Sequence, residues 1–362
     1  MAAVVIEPRP EYTDDRTWCF WGSQRSGQDH LPLASWNTIS VGRSDSHLER
    51  NVDASPYQML RSIDFYEDAI NEIQSGSHVQ LRLGTSVIAT HRLTTGLWET
   101  ETTGGTITSE FVVDTRPPTI TPITPILWQS FVGFEIECSQ PVFDPKVAQL
   151  MRFQEACDTE IDFVYVLPTS PSRALIEFTT LSAECAHSAQ ITVKLNKQIE
   201  AICGGSPYQV LRTEQGRIPM GLPVHPAESP STFVRVGVAA GSARPSSGYA
   251  FCRIQRWADA CAQTLLTGGL PIGPLTDTPT VRFMDHIFLR VLRYQPTLGP
   301  DFFIALFQTV PLPRLLRFLC DTPTLMDVAF LVNALPKWPF LKECVLPDAS
   351  KGKLTRKSAC YP

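Results

Sequence analysis

Three stretches of the chain alternate apolar and polar residues and are rich in β-branched side chains: FVGFEIECS, DFVYVLPTS and RALIEFTTL, within residues 131–181. This alternation has the two-residue period of a β-strand with one buried face, so each stretch predicts one strand. We interpret them as an antiparallel sheet. Because one face is strongly aromatic and aliphatic, we expect that sheet to cover another layer of the protein.

A different kind of strand stands at the start of the chain, where the apolar run AVVI is closed by Glu7-Pro8-Arg9. The run FVVD ends in the same way, at Asp114-Thr115-Arg116. In a dinucleotide-binding fold, an acid at the end of the second strand hydrogen-bonds the adenosine ribose, about 20 residues after a glycine-rich turn. From the residues alone, either this role or an ordinary strand end explains Glu7.

The segment STFVRVGVAAGSARPSSGYAFCRIQ predicts a strand, a glycine-containing turn and a helix, with Ser246 or Ser247 as the N-cap. Such a turn presents backbone N–H groups to a phosphate or a ring carbonyl. Elsewhere, apolar spacing predicts a helix over residues 57–73. Alternation with Gly-rich turns predicts a small antiparallel meander over residues 78–118.

After the linker GGLPIGPLTDTP, proline-punctuated apolar stretches predict several helices between residues 284 and 343. Four arginines are interspersed with their Phe and Leu residues: Arg290, Arg293, Arg314 and Arg317. Two interpretations stay open. The helices form a bundle that packs on itself, or their surface enters the bilayer interface with the arginines at the headgroups.

Charge and cysteine usage exclude several classes of protein. A formal net charge of -5 gives no general attraction to nucleic acid, so we expect no such partner. The 10 cysteines include no C-x-x-C pair and no histidine at zinc-ligand spacing, which predicts reduced thiols in a cytosolic protein and no metal site. We expect neither a secretory signal nor a membrane-spanning helix, because no apolar stretch of about 18 residues lacks a charge or a proline.

Motifs along most of the chain occur in a characteristic order: IEPR, RTWCFW, FVVDTRP, FVGFEIE, VFDP, FVYVLPTSPSRALIEFTTL, EQGRIPM, ARPSSGYAF, MDHIFLRVL, FFIALFQTVPLPRLLRFL and LVNALPKWPFL. This set resembles the bacterial lycopene β-cyclase family, and FVYVLPTSPSRALIE is its most diagnostic part. The resemblance implies an α/β flavoprotein of two domains with a helical C-terminal region. The expected parts are a partial, Rossmann-like FAD-binding domain (1–120), an antiparallel-sheet substrate domain (121–230), a return segment of the FAD domain (231–268), a membrane-facing or substrate-covering helical region (278–345) and a tail (346–362).

The family resemblance also implies an activity in carotenoid biosynthesis. Its members catalyse a flavin-dependent, non-redox isomerisation, formally an intramolecular lyase reaction, that converts the ψ-ends of lycopene to β-rings. The implied cofactor is reduced FAD, with NAD(P)H as the external reductant. The implied substrates are lycopene and other acyclic carotenoids, and the implied location is cytoplasmic, peripheral at the inner face of a membrane.

Cyclisation starts by protonating an alkene and ends by losing a ring proton, so it needs a carboxylic acid that stays protonated in a dry, apolar site. Glu177 fits this description, because Ile176 and Phe178 flank it and the family motif places its acid there. Relatives usually carry a second acid where this chain has Phe178. That change either removes an essential group or alters the pocket. Glu135 is a further candidate, as a base or a proton relay.

The resemblance also implies flavin contacts. Glu7 would meet the ribose, Asp114 and Arg116 the pyrophosphate, and Trp18 belongs to a turn in which relatives often have His-Thr-Trp. Four residues would surround the isoalloxazine and the pyrophosphate: Gly241, Pro245, Ser246 and Gly248. Because the resemblance starts at the second strand of the FAD fold, we expect this sequence to lack the first strand and its glycine-rich turn, as a misassigned start would explain.

Aromatic faces attract a carbocation, which makes Phe134, Tyr165 and Trp18 candidates for stabilising one. Each of them is equally suited to an ordinary core position. Two alternative functions also stay open at this point. One is a non-catalytic protein that binds carotenoids or lipids, and the other is a flavin-dependent monooxygenase of similar plan.

Overall fold

The computed structural model of the chain describes residues 2–22, 32–76, 78–116, 125–222, 232–275 and 277–345. The tail predicted at residues 346–362 lies outside these ranges, as do the domain boundaries predicted at 120–121 and 230–231. Strands dominate the first two-thirds of the described chain and helices the last third, so the fold is mixed α/β.

The first part of the chain runs β1 (Ala3–Ile6), β2 (Thr17–Trp21), β3 (Ala34–Trp36), β4 (Thr38–Arg43), β5 (Ser46–Asn51), β6 (Tyr57–Arg61), α1 (Ser62–Gln74), β7 (Val79–Arg82), β8 (Val87–Arg92), β9 (Trp98–Thr102), β10 (Gly105–Ser109) and β11 (Val112–Asp114). The middle part runs β12 (Leu127–Cys138), β13 (Val147–Phe153), β14 (Glu160–Pro168), β15 (Arg173–Ser182), α2 (Ser188–Cys203), β16 (Tyr208–Met220) and β17 (Phe233–Arg235). The last part is helical: α3 (Phe251–Leu266), α4 (Pro279–Tyr294), α5 (Gly299–Thr309), α6 (Leu312–Leu319), α7 (Leu325–Ala334) and α8 (Lys337–Val345).

A seven-stranded sheet organises the middle of the molecule, in the order β16-β12-β15-β14-β13-β4-β5. Its neighbours pair antiparallel except for β13 and β4, which are parallel. The three strands predicted from alternation are confirmed as β12, β14 and β15. Their two faces bury different neighbours, as the alternation requires.

One face of this sheet packs on α2, where Ile176 of β15 and Val132 of β12 meet Leu195 in a closed apolar cluster. The opposite face forms a larger core with the C-terminal helices, in which Phe163 and Leu175 join residues such as Leu289 of α4. The prediction that the sheet covers another layer is therefore confirmed. That second interface is where the cavity described below lies.

Smaller sheets hold the N-terminal region together. β1 pairs with β7 and β11 pairs with β17, and both pairs are parallel. The predicted meander is confirmed for β8, β9 and β10, which form an antiparallel sheet. The prediction was wrong at its two ends, because β7 and β11 each join a parallel pair instead of the meander.

Two local predictions were wrong. The helix expected over residues 57–73 starts only at Ser62, since residues 57–61 form β6 between β2 and β3. That strand is buried on both sides, so its residues show no alternation. The expected cap of α3 is also absent: the helix starts at Phe251 after Ala250, and no side chain caps it.

The four arginines singled out in the helical region bind other groups of the same chain. Arg290 pairs with Glu343, Arg293 donates to the backbone carbonyl of Ile126, and Arg314 and Arg317 pair with Asp327. These contacts support the self-packing interpretation for the four side chains and not the headgroup interpretation. In the described ranges, no helix has the length and apolar character needed to cross a bilayer.

Candidate active site

An apolar cavity of about 390 Å³ lies between the seven-stranded sheet and the C-terminal helices. The sheet lines it with Gln129, Phe163, Tyr165, Leu181 and Met220, and helices α4 to α8 add mainly phenylalanine and leucine side chains. Few polar groups reach it. The space therefore suits an apolar ligand, and any polar group at its wall acts in surroundings of low dielectric constant.

Glu177 lies on the cavity-facing side of β15, directly between Gly133 of β12 and Tyr165 of β14 in the register of the sheet. Burial and, to a smaller extent, the nearby Glu214 carboxyl together raise the pKa of Glu177 from 4.5 to about 8. A hydrogen bond of 2.9 Å from the Thr179 hydroxyl opposes this shift only in part. The carboxyl therefore keeps its proton near neutral pH and can act as a general acid.

Glu214 approaches the same place from the other side of β12, because Gly133 pairs with it as well. Its Oε2 accepts hydrogen bonds from the Thr17 hydroxyl at 2.7 Å and from Arg212 Nη1 at 2.6 Å. A Cβ atom at position 133 would stand 3.1 Å from Glu214 Cγ and 3.4 Å from Glu177 Cβ. Glycine thus leaves the space in which the two carboxyl side chains converge.

Glu135 lies two residues along β12 and is buried. Its carboxylate accepts from Arg173 Nη2 at 2.5 Å and from Arg212 Nε at 3.1 Å. Burial alone would raise the pKa of Glu135, but the two arginines lower it below its ordinary value. The side chain is therefore an ionised member of the cluster around Arg212, and its role as base or relay stays a prediction.

The turn segment, residues 241–249, borders the cavity through Ser246, Ser247 and Tyr249. Arg244 and Tyr249 close it, since the N–H of Arg244 donates to the Tyr249 carbonyl at 2.9 Å and the N–H of Gly248 donates to the Arg244 carbonyl at 2.8 Å. The Tyr249 hydroxyl also accepts a hydrogen bond from Trp21 Nε1. The segment predicted to hold the isoalloxazine thus stands beside the cavity.

Glycine is required at two positions of the turn segment. Gly241 and Gly248 have φ values of 87° and 72°, in the left-handed region that disfavours other residues. A Cβ atom at Gly248 would stand 2.8 Å from Gln129 Oε1, so the glycine also permits close approach to β12. Pro245 lies in the same segment and is half-buried.

Glu7 and Asp114 stand where the sequence predicted them, after β1 and at the end of β11, each at the carboxyl end of a strand in a parallel pair. Glu7 Oε1 accepts both the N–H of Arg9 at 3.0 Å and its Nε at 3.1 Å. Asp114 Oδ1 binds Arg116 in the same way, at 3.1 and 2.8 Å. Partial burial would raise the pKa of both acids, but these contacts lower it, so both are ionised. Glu7 is an acceptor suited to a ribose hydroxyl, and Asp114 holds the guanidinium of Arg116.

Trp18 lies on β2 and packs against the start of α3. Its ring stacks on Phe251 with centroids 5.1 Å apart, and it contacts Phe65 edge-on. Phe251 is the first residue of the helix that follows the turn segment. Trp18 therefore packs against the helix that follows the turn segment and does not line the cavity. Of the aromatic candidates, Tyr165 lines it.

Known proteins resemble this chain over most of its length. A family model described as lycopene cyclase protein matches residues 1–344. The chain belongs to the lycopene cyclase family. A lycopene beta-cyclase of Pantoea ananas is 25% identical over 373 residues, covering 94% of this chain and 90% of that protein. The resemblance inferred from the motifs is confirmed.

Solved structures share the fold of this lycopene cyclase family member. A geranylgeranyl bacteriochlorophyll reductase-like protein from Thermoplasma acidophilum gives a TM-score of 0.55 at 11% identity, over 93% of this chain and 91% of that one. A probable FAD-dependent monooxygenase from Pseudomonas aeruginosa gives 0.50 at 11% identity, over 91% and 92%. The predicted fold class, that of an FAD-dependent flavoprotein with a helical C-terminal region, is confirmed.

Phe178, where relatives in the family usually carry a second acid, does not face the cavity. Neighbouring residues of a strand point to opposite faces, and Phe178 is buried in the cluster under α2, with its ring centroid 5.6 Å from Lys194 Nζ. Phe134 packs on that same face. Of the two alternatives for Phe178, this position gives no support to the one in which its ring alters the pocket.

Sequence analysis missed the groups that surround Glu177, namely Thr17, Arg212 and Glu214. A signal was present, because RTWCFW, FVGFEIE, EQGRIPM and RALIEFTTL all contributed to the family resemblance. In the structure these four motifs meet around Gly133, through Thr17, Glu214 and Glu177. The pairing register of the sheet brings these motifs together, and that register cannot be read from any one motif.

Proposed function

We propose that this member of the lycopene cyclase family is a lycopene β-cyclase, an isomerase that closes the ψ-ends of lycopene into β-rings without net redox change. The observation that carries the proposal is Glu177, a carboxyl whose pKa is raised to about 8 and whose neighbour in the sheet, Tyr165, lines the apolar cavity. Such a group donates a proton to an alkene far better than an exposed glutamate does.

In the proposed reaction, one end of the carotenoid occupies the cavity. The Glu177 proton adds to the terminal alkene, and the resulting tertiary cation is attacked by a neighbouring double bond, which closes the ring. A ring proton then leaves, so that one proton enters the substrate and one departs. The Glu177 carboxylate left by the first step is a base for the last one, with Glu135 as the candidate relay. Tyr165 presents an aromatic ring at the cavity wall, and the apolar lining excludes water.

The residues present fit a flavin dinucleotide. We assign the ribose to the ionised Glu7, the pyrophosphate to Asp114 and Arg116, and the ring system to the turn segment, whose left-handed glycines let its backbone approach a ligand closely. Bound as reduced FAD, with NAD(P)H as reductant, the cofactor would supply electron density that stabilises a cation or relays a proton. The chain's contribution is to hold that group beside the cavity and the proton on Glu177.

We also propose that the protein lies peripherally on the inner face of a membrane. Phe283 and Leu341 line the cavity and are more than half exposed, so they flank its opening. The exposed apolar surface continues over α7 and α8, where Leu325, Trp338 and Val345 are 84%, 75% and 83% exposed. An apolar surface around the opening of an apolar cavity suits a substrate that is dissolved in lipid.

The test is pigment analysis of lycopene-accumulating cells that express the parent, Glu177→Gln or the control Glu137→Gln. Glu137 is an exposed glutamate of the neighbouring strand β12, which makes it a matched control. We expect β-carotene or γ-carotene from the parent and the control. We expect a loss of about 100-fold or more from Glu177→Gln, with flavin absorbance retained.

Three outcomes would contradict the proposal. Cyclisation near the parent level in Glu177→Gln would remove that residue from the acid role. Bound carotenoid that the parent leaves unchanged would identify a binding protein. Stoichiometric consumption of oxygen and NAD(P)H during turnover would identify a monooxygenase.

A further inference from the structure

A cluster of carboxyl and guanidinium groups surrounds the proposed acid. It contains four carboxyl side chains, Asp14, Glu135, Glu177 and Glu214, and three arginines, Arg61, Arg173 and Arg212. Arg212 joins its parts, because it contacts Asp14, Glu135 and Glu214. The cluster therefore has one acid more than it has cations.

The ion pairs assign the three cations to three of the acids. Asp14 pairs with Arg61 at 2.7 Å, Glu135 with Arg173 at 2.5 Å, and Glu214 with Arg212 at 2.6 Å. Within the described part of the chain, Glu177 has no ion pair. Glu177 is therefore the acid of this cluster without a cation of its own, and keeping its proton avoids an unpaired buried charge.

Within the described part of the chain, none of the three guanidinium nitrogens of Arg212 donates to Glu177. Its Nη1 binds Glu214, its Nη2 binds the Thr17 hydroxyl at 2.7 Å, and its Nε binds Glu135. Glu214 and Glu177 nevertheless lie close together, since both flank Gly133 on one face of the sheet. Burial raises the pKa of Glu214 as well, but Arg212 and the Thr17 hydroxyl oppose that shift, whereas Glu177 has only the Thr179 hydroxyl. Glu177 is therefore the one of the two acids that holds the proton, and the glycine lets the charge of Glu214 act on it over a short distance.

We infer that Glu214 is a positioning residue that keeps Glu177 protonated, because its carboxylate occupies Arg212 and places a negative charge across Gly133 from the acid. This inference rests on the proposed function for the role of Glu177. It adds a residue that controls the acid without contacting the substrate.

The other groups that face Glu177 bring no positive charge. They are the thiol of Cys19 on β2 and the phenol of Tyr165 on β14, and burial raises the pKa of both, so they are neutral near pH 7. The Thr179 hydroxyl donates its hydrogen bond in either protonation state. Glu214 is therefore the neighbour whose removal changes the charge that Glu177 experiences.

The test is the protonation of Glu177 in Glu214→Gln. This variant leaves three acids for three arginines and frees a donor of Arg212, so we expect Glu177 to ionise. In infrared spectra of protein labelled with ¹³C-glutamate, the protonated-carboxyl band of Glu177, identified by its loss in Glu177→Gln, should disappear at pH 7. The band should titrate at least about one pH unit lower than in the parent.

Activity gives a second readout. Cyclisation by Glu214→Gln should fall about tenfold at pH 7.5 and return towards the parent level near pH 6, where Glu177 is protonated again. Glu214→Asp keeps the charge and should restore the band, and Glu137→Gln should leave both readouts unchanged. A band that persists at pH 7 with the parent's titration in Glu214→Gln would overturn the inference.

If Glu214→Gln does not fold, Arg212→Gln tests the same balance with the opposite sign. It leaves four acids for two arginines and removes the partner of Glu214, so a second protonated carboxyl should appear beside that of Glu177 at pH 7. Protonated-carboxyl absorbance that does not increase at pH 7 would overturn the inference. Failure of the proposed function can be told apart from failure of this inference. In the first case the parent forms no rings, but its Glu177 band still depends on Glu214.

Discussion

Glutamine at position 177 has the size and the zero charge of the protonated glutamate. Glu177→Gln should therefore change the pH dependence of the unfolding free energy, which can be measured without substrate. In the folded protein the pKa of Glu177 is raised from 4.5 to about 8 by burial and by Glu214. In the unfolded chain the carboxyl returns to its ordinary value. The unfolded state therefore loses its proton first as the pH rises, which favours unfolding of the parent.

The size of the effect follows from the two pKa values. Stability from this group is complete below pH 4.5 and is lost as the pH rises towards 8, at about 1.4 kcal/mol for each pH unit. The parent should therefore lose about 4 kcal/mol of unfolding free energy between pH 5 and pH 9 through this group. Glu177→Gln has no proton to lose there. Relative to the parent, the variant should become more stable by that amount over the same interval.

The assay is urea denaturation of both proteins at pH 5 and pH 9, followed by tryptophan fluorescence. Glu137→Gln again provides the control, because it makes the same chemical change at an exposed position of the neighbouring strand. If the parent and Glu177→Gln change their unfolding free energy in parallel, the carboxyl titrates normally. The burial argument, and with it the acid role, would then be refuted.

Two further predictions concern surfaces that the proposed reaction does not use directly. Trp338→Ser should weaken co-sedimentation with anionic lipid vesicles about fivefold to tenfold at an unchanged melting temperature, because the side chain is 75% exposed; undiminished binding would contradict the membrane surface. Phe178→Ala should cost about 3 kcal/mol in denaturant unfolding, since the ring is buried under α2, whereas Phe178→Leu should keep cyclisation near the parent level. A loss of cyclisation in Phe178→Leu with full stability would show that Phe178 acts on the cavity after all.

The fold was predictable from sequence where the two faces of a strand differ in composition. β12, β14 and β15 alternate visibly for this reason, although other parts of the chain cover both of their faces. β6 gave no such signal, since its residues 57–60 are all buried and the helical spacing of α1 follows without a break. The pattern of a strand and a helix joined end to end therefore resembled that of one longer helix.

The turn before α3 shows a second limit of local patterns. Serines before a helix favour an N-cap, yet Ser246 and Ser247 lie in the closed turn and face the cavity. Small polar side chains occur both at helix caps and at ligand contacts. The sequence therefore predicted the turn, but not that its serines line the cavity instead of capping α3. The close approach of Gly248 to Gln129 of β12, which brings the turn to the cavity, has no signal in the local sequence.

Glu177 could be found from its own strand, whereas the state of its proton could not. Alternation and the family resemblance point to this residue, but its pKa is raised by burial and by the charge of Glu214, which lies on a strand two positions away in the sheet. The same alternation shows why position 178 is a poor guide to activity. An acid or a phenylalanine there points towards α2, so the difference from relatives changes the packing of that helix and leaves the cavity face intact. Position 214, and not position 178, is therefore the place to look for variation in the strength of the acid.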